Sequence, residues 1–437
     1  MSKSTPLATR ILWGLAIGVV AAVITLGVGE IFPPVLEAMR KISVAVLDPF
    51  GQIFLRMLFF VVIPLVFASL ASGVAQLGNL EKLGPLAGRT FGLFVANMLI
   101  AVALGLLMMN LLQPGHHLTA DAQALLMQEY GGSAMQVVDT KASQPGMSFA
   151  TVVEMFMPRN LFGAFVGNSR GALGDVLPLI LFAILVGAAA TKLPEDKRLK
   201  LQAGLDMISD VMTGIVGFAL RLAPYAVPAL IYSVIVKVGL DILLTLSVFV
   251  VGCTLALMLH LFGTMSVWLR FLAHQSPLAF FRTIRPLLIT AFSTSSSSAT
   301  LPAALATAHD DLHLSPSTAG FVLPLGATMN MSGTALFEGC VVLFVAQAFG
   351  IELSLANQAI LMLLAVLSAV AVAGIPGGSL PLIAGLLATF GVPPEGIGII
   401  IGVDRILDML RTTVNVGSDI VTAAVVDVQL HPPVLVD

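Results

Sequence analysis

The sequence predicts an all-α polytopic membrane protein, and three observations carry that prediction. The first is charge: of 437 residues, 57 % are hydrophobic and only 10 % are charged. Soluble domains carry roughly 25 % charge, so a water-soluble enzyme of this size is excluded in practice and the apolar surplus faces lipid. The second is a series of uncharged runs at residues 11–29, 57–80, 90–112, 242–269 and 314–337, with shorter ones at 176–191 and 222–236. Each longer run meets the roughly 20 residues a helix needs to cross the hydrocarbon. The third is the placement of the 40 Gly and 24 Pro inside apolar stretches. Membrane helices tolerate both when neighbours re-satisfy the freed backbone groups.

The elements follow in order. Apolar residues from Ile11 come after Lys3 and Arg10 and reach Gly29 without an A-x-A site. That reads as a first membrane helix, not a signal peptide. Lys82 and Arg89 follow the second span; Lys192, Lys197, Arg198 and Lys200 follow the fourth; Arg270, Arg282 and Arg285 follow the sixth. These alternate to one side, so the positive-inside rule puts them and both termini in the cytoplasm of a cell (inner) membrane. The polar loop at 113–144, with one Lys and no Arg, falls outside, and so do Arg40 and Lys41. Cys253 and Cys340 both sit in apolar segments and read as buried small hydrophobes. The net charge of −3 gives no sign of a nucleic-acid partner. His309, Asp310, Asp311 and His313 read as a solvated loop more readily than as a metal site, and no nucleophile–base pair marks an enzyme.

The C-terminal half is organised differently. One apolar segment holds Ser293-Thr294-Ser295-Ser296-Ser297-Ser298-Ala299-Thr300-Leu301-Pro302, another Ala373-Gly374-Ile375-Pro376-Gly377-Gly378-Ser379-Leu380-Pro381. Each has apolar arms and a tip rich in Ser or in Gly and Pro, and each precedes a long helix with polar residues inside. A repeated pair of interrupted segments points to a secondary transporter's binding site. The competing reading is a soluble Ser-rich loop and a Gly-rich turn between ordinary spans.

Two polar stripes sharpen this. The last helix, near 396–426, carries Asp404, Asp408, Arg411, Thr412, Asn415 and Asp419, which fall within an arc of about 100° at about 100° per residue. Ionisable residues inside a membrane helix are costly and usually functional. The preceding long helix carries Gly326, Thr328, Asn330, Ser332, Gly333 and Thr334, then Glu338. Asn-x-Ser-Gly in mid-membrane predicts an unwound turn whose carbonyls, with the Asn330 amide oxygen, suit a hard cation such as Na⁺. Arg411 can clamp a carboxylate with its planar fork, and Asp408 can hold an α-ammonium. Hydroxyls at the Ser tip can take the α-carboxylate. The chemistry points to an acidic amino acid.

At these residues the chain resembles the dicarboxylate/amino acid:cation symporter family, over essentially its whole length. The motifs that carry the resemblance are the Ser-rich tip, Asn330-Met331-Ser332-Gly333-Thr334, the tip from Ala373 to Gly378, and Asp404 to Asp419. The resemblance implies eight transmembrane helices and two re-entrant helical hairpins in the elevator-type glutamate transporter fold, assembled as a homotrimer in the lipid bilayer. It implies scaffold helices 1 and 2 in residues 1–87, transport-domain helix 3 in 88–115, scaffold helices 4 and 5 in 145–235, and the rest of the transport domain in 236–428. Carried over by motif, Arg411 with Thr334 would bind the side-chain carboxylate of the substrate, and Asp408 with Thr412 its amino group. Asn415 and the tip residues Ser296, Ser297 and Ser298 would hold the α-carboxylate. Ala373, Gly374, Pro376 and Gly377 would form the outer gate. Retention of both Asp408 and Arg411 favours glutamate or aspartate over C4-dicarboxylates.

Departures from the family pattern bear on the coupling ion. The family's usual Asn-Met-Asp-Gly-Thr has Asp where this chain has Ser332. Phe94, Asn97 and Met98 replace the helix-3 Tyr, Thr and Ser that complete one Na⁺ site, so that site is expected to be lost. A second set, Gly326, Thr328, Asn330, Asn415 and Asp419, keeps its residues and is the cation site if Na⁺ binds. Glu338 stands where Na⁺-driven archaeal relatives have Gln. A carboxyl in an apolar bundle can cycle a proton. The expectation is therefore a symporter with H⁺ (possibly Na⁺) as coupling ion, Glu338 as proton carrier and no organic cofactor. Relatives place a second Arg near the site at the positions of Ser295 and Met409, and this chain has it at neither. The alternatives are a Na⁺-coupled amino acid or C4-dicarboxylate symporter and a family member with anion channel activity.

Overall fold

The computed structural model describes residues 7–76, 84–130, 157–166, 176–372 and 377–430. Among them all regular structure is helical. The N-terminal half holds α1 (Leu7–Ile31), α2 (Pro33–Ile42), α3 (Asp48–Phe60), α4 (Val62–Gln76) and α5 (Pro85–Leu112). After two short helices, α6 (Ala120–Tyr130) and α7 (Leu161–Val166), come α8 (Val176–Ala190) and the 44-residue α9 (Glu195–Val238). At about 1.5 Å per residue α9 is about 66 Å long, so it extends well beyond a hydrocarbon layer of about 30 Å.

The C-terminal half opens with α10 (Asp241–Met258), which runs through a π-helical turn into α11 (Met265–Phe271). The short α12 (Pro277–Thr283) leads to two helices joined at the Ser-rich tip, α13 (Arg285–Thr294) and α14 (Ser297–Ala306), which pack on each other. The expected unwinding is present. α15 (Pro316–Met329) stops at Asn330 and Met331, and α16 (Ser332–Ala348) starts beyond them. α17 (Leu355–Ala371) and α18 (Leu380–Thr389) flank the second tip, and α19 (Ile397–Leu430) closes the fold. Ala373, Gly374 and Pro376 lie outside the described residues, whereas Gly377 is described, with φ +73°.

Six stretches among the described residues are long and apolar enough to cross a membrane. They include Thr9–Ile31, Pro85–His117 and Pro316–Ala348, and they make this a multi-pass membrane protein. α1 lies along α9. The crossing is close because Gly14 and Gly18, four apart on one face, meet α9 where a Cβ would stand 2.7 Å from the backbone oxygens of Pro224 and Pro228. Small residues at this spacing let membrane helices approach backbone to backbone. The opposite face of α1 is exposed at Trp13, Ile17, Val20 and Ile24. In contrast, every residue of α16 is buried, packed between α5, α17 and α19. The polar stripes therefore sit in the protein interior, where unwound backbone at membrane depth is tolerated.

Candidate functional site

α19 gathers the charges. Asp404, Arg405, Asp408 and Arg411 are all buried. Arg411 sets Nη2 and Nε at 2.7 and 2.9 Å from Asp408 Oδ1, and Nη1 at 3.1 Å from Asp404 Oδ1. Its guanidinium carbon lies 4.4 Å from the centroid of the Phe337 ring, a cation–π contact that helps fix the position of the fork. Arg405 takes the other side of Asp408, with Nη1 2.8 Å from Oδ2. The Gly377 backbone N–H, at the edge of the second tip, donates to the same oxygen at 3.3 Å. Each Asp408 oxygen thus faces one arginine. Two carboxylates and two guanidiniums balance in charge, which is how buried charges are kept.

A small, partly open cavity lies against this cluster. Of the residues picked from sequence, Ser297, Thr334, Asp408, Arg411, Thr412 and Asn415 line it. Ser295, Met331 and Ser379 line it too and were not singled out as ligands. Ser296 instead caps α14, its side chain accepting from the Ala299 N–H at 3.2 Å. Ser298 is exposed and does not line the cavity. Ser295 sits in the left-handed region at φ +50°, a conformation a non-glycine residue seldom adopts away from functional turns.

The break between α15 and α16 is held by α19. Asn415 Oδ1 accepts from the N–H groups of Gly333 at 2.8 Å and Thr334 at 3.3 Å, so it satisfies the open first turn of α16. Its Nδ2 donates to Thr334 Oγ1 at 3.1 Å. Gly333 is required because a Cβ there would lie 2.5 Å from the Arg411 carbonyl. On the other side of the break, Asn330 Nδ2 donates to Asp419 Oδ1 at 2.8 Å, and Gly326 lies so close that an added Cβ would meet that oxygen at 2.5 Å. Ser418 Oγ joins Asn330 and Ser332 at 3.3 and 3.0 Å. Asn97 of α5 donates to Asn330 Oδ1 at 2.8 Å. Gly326, Asn330 and Asp419 therefore converge, and Asn415 reaches them only through its backbone carbonyl, which accepts from the Ser418 hydroxyl at 2.9 Å. Thr328 does not join them: it is exposed, and its hydroxyl donates back to Leu325 O at 3.1 Å.

Glu338 lies one turn beyond Thr334 on α16 and is fully buried. Neither carboxyl oxygen has a hydrogen-bond partner. The Ser368 hydroxyl of α17 stands against it without completing a bond.

The sequence did not foresee Arg405 either. Arg405 supplies a second arginine from within α19, and its Nη2 donates to Ser295 Oγ at 3.1 Å. Its signal was present: it precedes Asp408 by three residues, a spacing at which helical side chains meet.

The charged interior and the broken helices define a membrane transporter, not an enzyme. The sodium:dicarboxylate symporter family matches over residues 7–429, and the chain belongs to that family. It is 32 % identical over 408 residues to a proton/sodium-glutamate symport protein of Bacillus caldotenax, covering 92 % of this chain and 90 % of the relative. It is 30 % identical over 374 residues to a proton/glutamate-aspartate symporter of Escherichia coli (strain K12), covering 85 % and 83 %. A C4-dicarboxylate transport protein of Mesorhizobium japonicum is 29 % identical over 408 residues, covering 93 % and 80 %.

Proposed function

We propose that this protein takes up an acidic amino acid, L-glutamate or L-aspartate, together with a proton. The observation that carries the reading is Asp408 held between two arginines on the wall of the cavity. Arg411 and Thr334 bind the side-chain carboxylate, Asp408 and Thr412 the ammonium, and Asn415 with Ser297 the α-carboxylate. The four charges of the cluster Asp404, Arg405, Asp408 and Arg411 already balance, so an acidic amino acid brings one uncompensated negative charge into this buried site. A co-transported cation offsets it. Glu338 is the proton carrier: an unpartnered carboxyl among apolar helices is expensive to hold as an anion, so its protonation accompanies the loaded state. Asn97 donates into the Asn330 oxygen that a cation would otherwise use, which supports reduced Na⁺ dependence.

The architecture we assign is eight transmembrane helices with two re-entrant hairpins. Residues 1–87 and 145–235 form the scaffold of a homotrimer. Residues 88–115 and 236–428 move as an elevator, and both termini are cytoplasmic in the inner membrane.

Uptake into proteoliposomes, with Na⁺ and proton gradients imposed separately, tests the function. An inward proton gradient alone should accumulate L-glutamate or L-aspartate. Accumulation driven only by Na⁺ overturns the coupling assignment. Accumulation of succinate in place of both amino acids overturns the substrate assignment and favours the C4-dicarboxylate reading, in which the two arginines each take a carboxylate. Gradient-driven accumulation of any of them separates transport from a channel.

A further inference from the structure

Arg405 joins two residues that line the cavity from different elements: Asp408 on α19 and Ser295 at the tip between α13 and α14. It is buried, and its Nε–H has no acceptor. Asp408 Oδ1 is taken by Arg411, and Oδ2 by Arg405 and the Gly377 N–H. An ammonium that seeks Asp408 must therefore displace Arg405 from Oδ2. Displacement alone would leave a buried guanidinium with no anion, which costs more than the new contact returns.

We propose that Arg405 is a specificity residue that exchanges partners with the substrate, a reading that rests on the acidic amino acid assignment above. The ammonium of the ligand replaces Arg405 on Asp408 Oδ2. The carboxylate on the same carbon, held through one oxygen by Asn415 and Ser297, takes the freed guanidinium with the other, beside the Ser295 hydroxyl. No bond other than hydrogen bonds and ion pairs changes, and the number of ion pairs is preserved or raised. The exchange closes only for a ligand that carries both charges on adjacent groups, that is, an α-amino acid. A ligand with a remote carboxylate cannot return a partner to Arg405. A ligand without an ammonium leaves the Arg405–Asp408 pair intact and gains nothing from it.

The test is competition binding on the purified full-length protein with three probes: L-glutamate, 4-aminobutyrate, which lacks the α-carboxylate, and glutarate, which lacks the ammonium. In Arg405→Met, L-glutamate should weaken about 10- to 100-fold, the range of lost charged hydrogen bonds. Glutarate should stay within about 3-fold, less than one ordinary hydrogen bond, and 4-aminobutyrate should hold or gain affinity because no guanidinium has to be displaced, so that selectivity for L-glutamate collapses. Arg405→Lys should recover part of the selectivity, since Lys returns the charge without the planar fork. If Arg405→Met does not fold, Arg405→Lys alone decides: the ratio of L-glutamate to 4-aminobutyrate affinity must fall. Equal weakening of all three probes, or unchanged L-glutamate affinity, overturns the exchange. If the wild type binds glutarate and not L-glutamate, the substrate assignment falls and the exchange with it. If it binds L-glutamate and the ratios do not move, only the exchange falls.

Discussion

Two acidic groups lie a short way apart in this interior and are treated in opposite ways. Asp408 is saturated: two arginines and a backbone N–H meet its oxygens. Glu338 is bare, with no partner on either oxygen. The difference separates two uses of a buried carboxyl. A carboxylate saturated by cations keeps its charge and can trade one cation for another. A carboxyl without hydrogen-bond partners feels only the Arg411 charge, which Asp404 and Asp408 already hold, and its own proton is the natural counter-charge.

Substitutions at the two groups break that comparison in different ways. Asp408→Asn should have the largest effect. It strands the Arg405 guanidinium and leaves Arg411 only Asp404, and breaking a buried pair costs about 3–5 kcal/mol. L-glutamate uptake should fall below detection, and the solubilised protein should melt earlier. Near-normal uptake would show that the ammonium finds another anion. Glu338→Gln should be selective. Accumulation driven by a pH gradient should drop about tenfold or more, as removal of an intramembrane proton site implies, while exchange of external for internal L-glutamate continues. A variant that kept full pH-driven accumulation would remove Glu338 from the proton path. Gly333→Ala tests whether the saturated side depends on the break beside it. The added methyl presses on the Arg411 carbonyl, and overpacking of this kind costs about 1–3 kcal/mol, read as a lower melting temperature with uptake lost in proportion. Ser295→Ala should be mildest. It removes one neutral acceptor from Arg405, worth about 1 kcal/mol or about fivefold in L-glutamate affinity. A larger loss would mean that the hydroxyl touches the substrate directly.

Much of this arrangement was legible because it is local. The break at Asn330 followed from four consecutive residues, and the α19 stripe from helical angles. Arg405 was missed because it sits about 20° outside the arc of the other polar residues at about 100° per residue. Its long stem brings the guanidinium back to Asp408, and no angle count registers that reach. The roles of the tip serines were illegible for a different reason. Ser296, Ser297 and Ser298 are chemically identical neighbours, and only the point where α14 starts makes one a cap, one a wall of the cavity and one exposed. Thr328 belongs to the expected cation set by sequence, but its side chain is exposed and its hydroxyl turns back to Leu325 O. The Asn97–Asn330 bond joins residues 233 positions apart, and no pattern along the chain specifies it.

The cap made by Asn415 has a consequence for what the cavity can recognise. Because its side-chain oxygen is committed to the Gly333 and Thr334 N–H groups, the amide cannot flip without undoing the start of α16. One N–H is spent on Thr334, and a single N–H is left to face a ligand. The Asn415 side chain is thus a donor of fixed sign: it can welcome an anion, and only the residue's backbone carbonyl, which accepts from Ser418, is left to offer a cation. Helix architecture has in this way decided the polarity of one wall before any ligand arrives, and any ligand must orient its charges to match.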